Sequence, residues 1–175
     1  MSTEEKLLKI AKCYQAIIEE SVDDLSGICY HSAASLHHYF SIISVQSEII
    51  VGNLALLNNS DKYAVYGDKM NLLKQVIIGN YHAWCEVILD DRRYIVDPSI
   101  KYNKRFDKKV FKFKTSKMIP DIIISQERET YHRKYVKNDS LISQYEYYIS
   151  TIPKGYMEIN NMSSEIIKRN VGFTL

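Results

Sequence analysis

Residues 81–99 read Tyr81-His82-Ala83-Trp84-Cys85-Glu86-Val87-Ile88-Leu89-Asp90-Asp91-Arg92-Arg93-Tyr94-Ile95-Val96-Asp97-Pro98-Ser99, and this run decides the fold class. Apolar, aromatic and β-branched residues fill 81–89 and 92–97, which marks two strands. Asp90-Asp91 joins them as a hairpin turn without the usual glycine, and Pro98 ends the second strand. With the turn there, residues whose numbers sum to about 181 lie opposite one another. That register sets Asp97 beside Trp84 and one diagonal step from His82. His82, Trp84, Glu86 and Ile88 share one face; Tyr81, Ala83, Cys85 and Val87 share the other.

Upstream of the hairpin, Leu7, Leu8, Ala11, Tyr14, Ile17 and Ile18 recur at helical spacing, which predicts a helix over 4–21 capped by Ser2 or Thr3. Val22 to Gly27 is a turn. A second helix is expected from near Gly27 to about Ser41, with Cys29, Ala33, Leu36 and Phe40 along one stripe. Alternation and β-branching predict a strand over 46–57. Residues 58–68 read as loop with a short extended piece at 62–66, and 72–78 fits helix or strand equally. Downstream, 106–113 is expected as an edge strand and 125–150 as helix broken at 138–140. A turn at Pro153 and Gly155 and a short helix over 163–170 follow. The expectation is one α+β domain over 1–175, with N-terminal helices packed on an antiparallel β-sheet and a mostly helical C-terminal tail.

Cysteine chemistry needs a thiolate, a base in reach and a group that orients the base. Cys29 opens a helix, where unpaired backbone N–H groups favour negative charge on sulfur and on a developing oxyanion. Gly27 leaves room for an approaching carbonyl. His82 supplies an imidazole, and Asp97 stands where a carboxylate can hold one ring nitrogen and leave the other for Cys29. The candidate catalytic residues are therefore Cys29, His82 and Asp97. Gln15 and Tyr30 are weaker candidates for a second oxyanion donor. Trp84 is expected to pack against the histidine.

The paired segments His82-Ala83-Trp84-Cys85-Glu86-Val87 and Tyr94-Ile95-Val96-Asp97-Pro98-Ser99 resemble the core of the transglutaminase-like superfamily, a papain-like Cys-His-Asp fold. Gly27-Ile28-Cys29, followed by Ala33-Ala34 and the strand from Ser47, is similar to that family's nucleophile helix. The likeness spans about residues 25–100 and implies Cys29 as nucleophile, His82 as base and Asp97 as orienting acid. It implies a compact microbial or viral member without cofactor, acting as a thiol protease, deamidase or transglutaminase-type acyltransferase on an amide of a protein or peptide. The chain departs from the pattern in lacking a proline before the middle strand and in carrying Cys85 and Tyr94 at motif positions.

Composition sets the remaining bounds. Hydrophobic residues make up 46% and charged residues 25% of 175, as in a globular protein. A net charge of +2 gives no electrostatic case for nucleic acid. The densest basic run, Lys101 to Lys117, is read as a solvated face, with an acidic partner as the lesser reading. MSTEEKLLKIAK carries no secretory pattern and no apolar run approaches a membrane span, so a cytoplasmic location is expected. Three cysteines argue against a disulfide scaffold. No Cys-x-x-Cys or spaced Cys/His cluster points to metal. The alternative to an enzyme is a non-catalytic protein-interaction module on the same fold, with the basic segment as its surface.

Overall fold

The computed structural model describes residues 1–151 and 155–175, the side chains of 155–157 excepted. It is a mixed α+β fold with helices first, a sheet in the middle and helices last. Helix α1 spans Thr3–Ser21 and starts on a capping box: Ser2 Oγ accepts from Glu5 N while Glu5 Oε2 accepts from Ser2 N. Helix α2 spans Cys29–Ile42. The strands are β1 (Ser47–Leu57), β2 (Tyr63–Tyr66), β3 (Gln75–Gly79), β4 (His82–Leu89) and β5 (Arg92–Asp97). Helix α3 (Ile100–Phe111), β6 (Ile123–Ser125) and β7 (Arg133–Lys137) follow. A 3-10 turn at Asp139–Leu141 leads into α4 (Ile142–Thr151), and α5 spans Gly155–Arg169.

The hairpin has the expected register. Cys85 pairs with Val96 and Glu86 with Ile95. Asp90 and Asp91 both take positive φ, 50° and 59°, the geometry of a two-residue turn whose twist matches the strands. Aspartate tolerates that conformation well enough to replace glycine.

Strand β1 organises the sheet, whose pairing runs β3-β2-β1-β4-β5-β6 with β7 also on β1. Residues 47–52 of β1 pair with β4, residues 54–57 pair with β2, and residues 52–56 pair with β7. Gly52 and Leu54 to Leu56 each have two partners, so β4 and β2 share one edge of β1 and β7 takes the other. The sheet therefore forks between Gly52 and Leu54. Gly52 is required at the crossing, because a Cβ there would collide with the carbonyl oxygen of Val136.

Each face of the sheet carries its own core. On one side Leu7, Ile10, Tyr14, Leu36 and Phe40 of α1 and α2 pack on Cys85, Val87, Tyr94 and Val96. On the other, Ile100 of α3, Ile119 and Tyr135 pack on Ile50, Leu54, Trp84 and Ile95. The alternation along β4 sorts its residues between these cores as expected.

Four expectations need correction. The sheet is mixed, since β2 and β3 pair parallel. Of the 106–113 segment, 106–111 is the end of α3, Lys112 is its left-handed cap, and none of it is an edge strand. Of the basic run from Lys101 to Lys117, the residues up to Lys109 are helical, and Lys101 and Lys104 pair with Glu19 and Asp121. Residues 125–137 hold the end of β6 and all of β7 instead of helix, so only the second half of the expected 125–150 helix exists, as α4. The terminal helix starts at Gly155, eight residues before its expected start at 163. The turn expected at Pro153 lies outside the described residues. None of the described helices is long and apolar enough to cross a membrane.

Candidate active site

The three candidate residues come from three elements that converge at the fork. Cys29 is the first residue of α2 and is 6% exposed. Gly27 turns the chain into the helix with φ +68°, in the left-handed region that glycine adopts without strain. No side chain caps the helix, and among the described residues no backbone acceptor takes the Cys29 N–H. That N–H is one of the free donors at a helix start.

His82 opens β4 opposite Gly52, and Asp97 closes β5; both are fully buried. His82 Nε2 donates to Asp97 Oδ2 at 2.7 Å. Tyr135 of β7 donates its hydroxyl to the same oxygen at 2.8 Å. Asp97 Oδ1 accepts from Ser99 N at 2.9 Å and Ser99 Oγ at 2.6 Å. Pro98 turns the chain so that Ser99 folds back on the carboxylate. Burial alone would raise the Asp97 pKa, but His82, Ser99 and Tyr135 together hold it below its usual value. Burial likewise opposes charge on His82, yet Asp97 and then Cys29 push its pKa up to about 10. The imidazole is thus held as a cation at neutral pH.

Asp97 occupies Nε2, so Nδ1 is the nitrogen left for the Cys29 thiol, which interacts with the ring. Nδ1 is buried and makes no close hydrogen bond. Trp84 lies nearly parallel to the His82 ring, with centroids 6.1 Å apart and planes at 19°. Tyr66 and Tyr135 flank it at 6.2 and 6.0 Å. The indole is fixed in turn by Glu86, which accepts from Trp84 Nε1 at 2.9 Å. Arg128 grips both Glu86 oxygens at 2.8 Å, and Arg93 adds a third contact at 3.1 Å. Burial would raise the Glu86 pKa, but these partners hold it down.

Tyr81, immediately before His82, is the residue that sequence reasoning missed. It interacts with the Cys29 thiol, and the two side chains pack in one cluster with Ala33 and Ala83. The signal was present in its placement, one residue before His82 on the face turned toward α2. Tyr30 lines the cleft in front of Cys29. Gln15 does not, because its Nε2 donates to the Pro98 carbonyl at 2.8 Å. Gln15 thereby ties α1 to the Asp97 turn. Cys85 is fully buried on the helical face, and burial pushes its thiol well up. His31, on α2, contacts Tyr14, and burial pushes it down to about 4. Among the described residues no group of three His, Cys, Asp or Glu side chains stands together as a metal site.

No family model matches the chain, and no curated protein matches it. Among solved structures, a crystal structure of a genomics target aligns with 95% of this chain and 79% of its own. Its identity is 11% and the TM-score 0.49, a likeness that carries no argument about family or function.

Proposed function

We propose that this chain is a cysteine-dependent hydrolase or acyltransferase, built on a transglutaminase-like, papain-like core, that acts on an amide bond of a protein or peptide through a thioester on Cys29. One observation carries the reading: a fully buried His82–Asp97 pair with its second imidazole nitrogen left for a helix-start cysteine. Replacing a buried ionised pair by well-packed apolar residues is often neutral or stabilising, so a fold has small structural reason to keep one.

In this reading the Cys29 thiol gives its proton to His82 Nδ1, its sulfur attacks the amide carbonyl carbon, and the C–S bond forms as the carbonyl electrons move to oxygen. The oxyanion is held by the Cys29 N–H and the Tyr81 hydroxyl, both already beside the sulfur. His82 passes its Nδ1 proton to the departing amine as the C–N bond breaks. Water or an amine then loses a proton to the neutral imidazole and attacks the thioester, which releases Cys29. Asp97 keeps the ring oriented and compensates its charge throughout.

The test is alkylation by iodoacetamide at near-neutral pH, followed by intact mass. The wild type should gain one adduct quickly, at Cys29. Cys29→Ala should lose that adduct, and His82→Ala, verified as folded by circular dichroism, should slow it by about tenfold or more. Labelling of Cys13 as fast as Cys29, or a Cys29 rate indifferent to His82, refutes the reading.

A further inference from the structure

The cleft beside Cys29 has a volume of about 420 Å³, within the range of small-molecule and side-chain pockets. Its walls are Tyr30, Tyr66, Ile78, Tyr81, Phe106 and Tyr148. Gly27 and Gly79 contribute bare backbone, and Ser26, Asn80 and Asn103 are its neutral polar members. Among the described residues, no Asp, Glu, Lys, Arg or His lines it. That absence is selective in a chain with 44 charged residues, 23 basic and 21 acidic. Burial holds the phenols of Tyr30, Tyr66 and Tyr81 above their usual range, so those walls stay neutral through physiological pH.

Three of the tyrosines form a continuous aromatic surface. Tyr30 stacks on Tyr148 with centroids 6.0 Å apart and planes at 20°, and Tyr81 meets Tyr148 at 5.8 Å and 34°. Tyr148 of α4 remains 40% exposed, so it still offers ring surface to an incoming group. Tyr81 joins this surface to Cys29 by packing in the same cluster. A charged substituent pressed against these walls loses water and gains no ion pair. A ring gains offset or edge-on contacts with two or three faces.

We propose that the site selects an uncharged acyl group bearing an aromatic ring, seated against Tyr148 and Tyr81. The inference rests on Cys29 as the nucleophile. The substrate class is then a peptide or acyl amide whose acyl-side residue is aromatic, with large aliphatic groups second and ionised groups excluded.

Affinity-label kinetics test it. The probes are the N-acetyl chloromethyl ketones of phenylalanine, leucine, glutamate and lysine, whose ketone takes the place of the scissile carbonyl and whose methylene alkylates sulfur with loss of chloride. The phenylalanyl compound should label Cys29 roughly three to ten times faster than the leucyl compound. It should outpace the glutamyl and lysyl compounds by more than about tenfold. Tyr148→Ala should reduce the phenylalanyl-to-leucyl ratio toward unity, while Tyr148→Phe should retain it. A ratio is unaffected by a general loss of reactivity, so it separates ring contact from damaged folding. A lysyl or glutamyl compound as fast as the phenylalanyl one, or a ratio unchanged in Tyr148→Ala, overturns the proposal. If iodoacetamide labels Cys29 in a His82-dependent way and the ketones show no preference, the pocket inference falls and the nucleophile stands. If iodoacetamide shows no such dependence, both fall.

Discussion

Replacing Asp97 by asparagine tests the electrostatic centre of the site through stability alone, without a substrate. The imidazole of His82 has its pKa raised from 6.5 to about 10, against burial, by Asp97 and Cys29. A group whose folded pKa lies above its unfolded value binds its proton more tightly in the fold. Its contribution is therefore complete below pH 6.5 and is lost as pH rises through 10. The separation of roughly 3.5 units corresponds to about 5 kcal/mol at most. The amide introduced by Asp97→Asn keeps one oxygen, which can serve His82 and Tyr135 or the Ser99 N–H but not both, and it removes the charge, so the buried ring in the variant is neutral at pH 7. The stability gap between wild type and Asp97→Asn should be several kcal/mol at pH 6 and should narrow steadily toward pH 10. Urea unfolding at pH 6, 7.5, 9 and 10 measures it, and the difference between the two proteins cancels the titration of distant tyrosines and lysines. A gap that stays flat or widens over that range would refute a charged His82–Asp97 pair.

Two further substitutions probe the supports. Asp107 is fully buried on α3, accepts a hydrogen bond from the Tyr66 hydroxyl, and is pushed up to about 7 by burial. Its stability contribution is complete below its unfolded value of 3.8 and is lost as pH rises through 7; Asp107→Asn should therefore gain up to about 4 kcal/mol at pH 8 and nothing at pH 4 in thermal melts. Arg128→Met removes two charge-assisted contacts from buried Glu86 and leaves Arg93; the part-exposed position screens the loss to about 2 kcal/mol, a fall in Tm of roughly 4–8 °C by calorimetry.

The legible parts of the molecule were those whose determinants are local. Strong alternation on both sides of Asp90-Asp91 specifies the hairpin and its register, so the relation of His82 to Asp97 follows from counting. The stripe from Cys29 to Phe40 specifies α2, and all four of its residues are buried. Illegible parts depend on partners far along the chain. Arg133–Lys137 alternates weakly and is polar on one face; it is a strand because β1, some 80 residues earlier, offers a free edge. Phe106, Phe111 and Phe113 suggest alternation, while α3 is set by burial of Ile100 in the second core and Tyr102 in the first, with Asp107 bonded to Tyr66. Tyr135 and Tyr148 reach the site from β7 and α4, and neither position shows locally what it will touch.

The fork in the sheet explains why these distant residues meet. Where β1 passes from β4 to β2, the handover falls at Asn53, which pairs only with β7, and the rings of His82 and Tyr66 approach each other from the two branches. β7 supports the crossing from the other edge and delivers Tyr135 to Asp97. His82 and Asp97 consequently sit on the dry side, behind Trp84, while Cys29 approaches from the helical side at the uncapped start of α2. Gly27 lines the cleft beside Cys29, and an added Cβ there would meet nothing within 4 Å. Under the proposed chemistry this division has a purpose: water is kept from the ion pair that orients the base, yet an acceptor can still reach the thioester past Gly27.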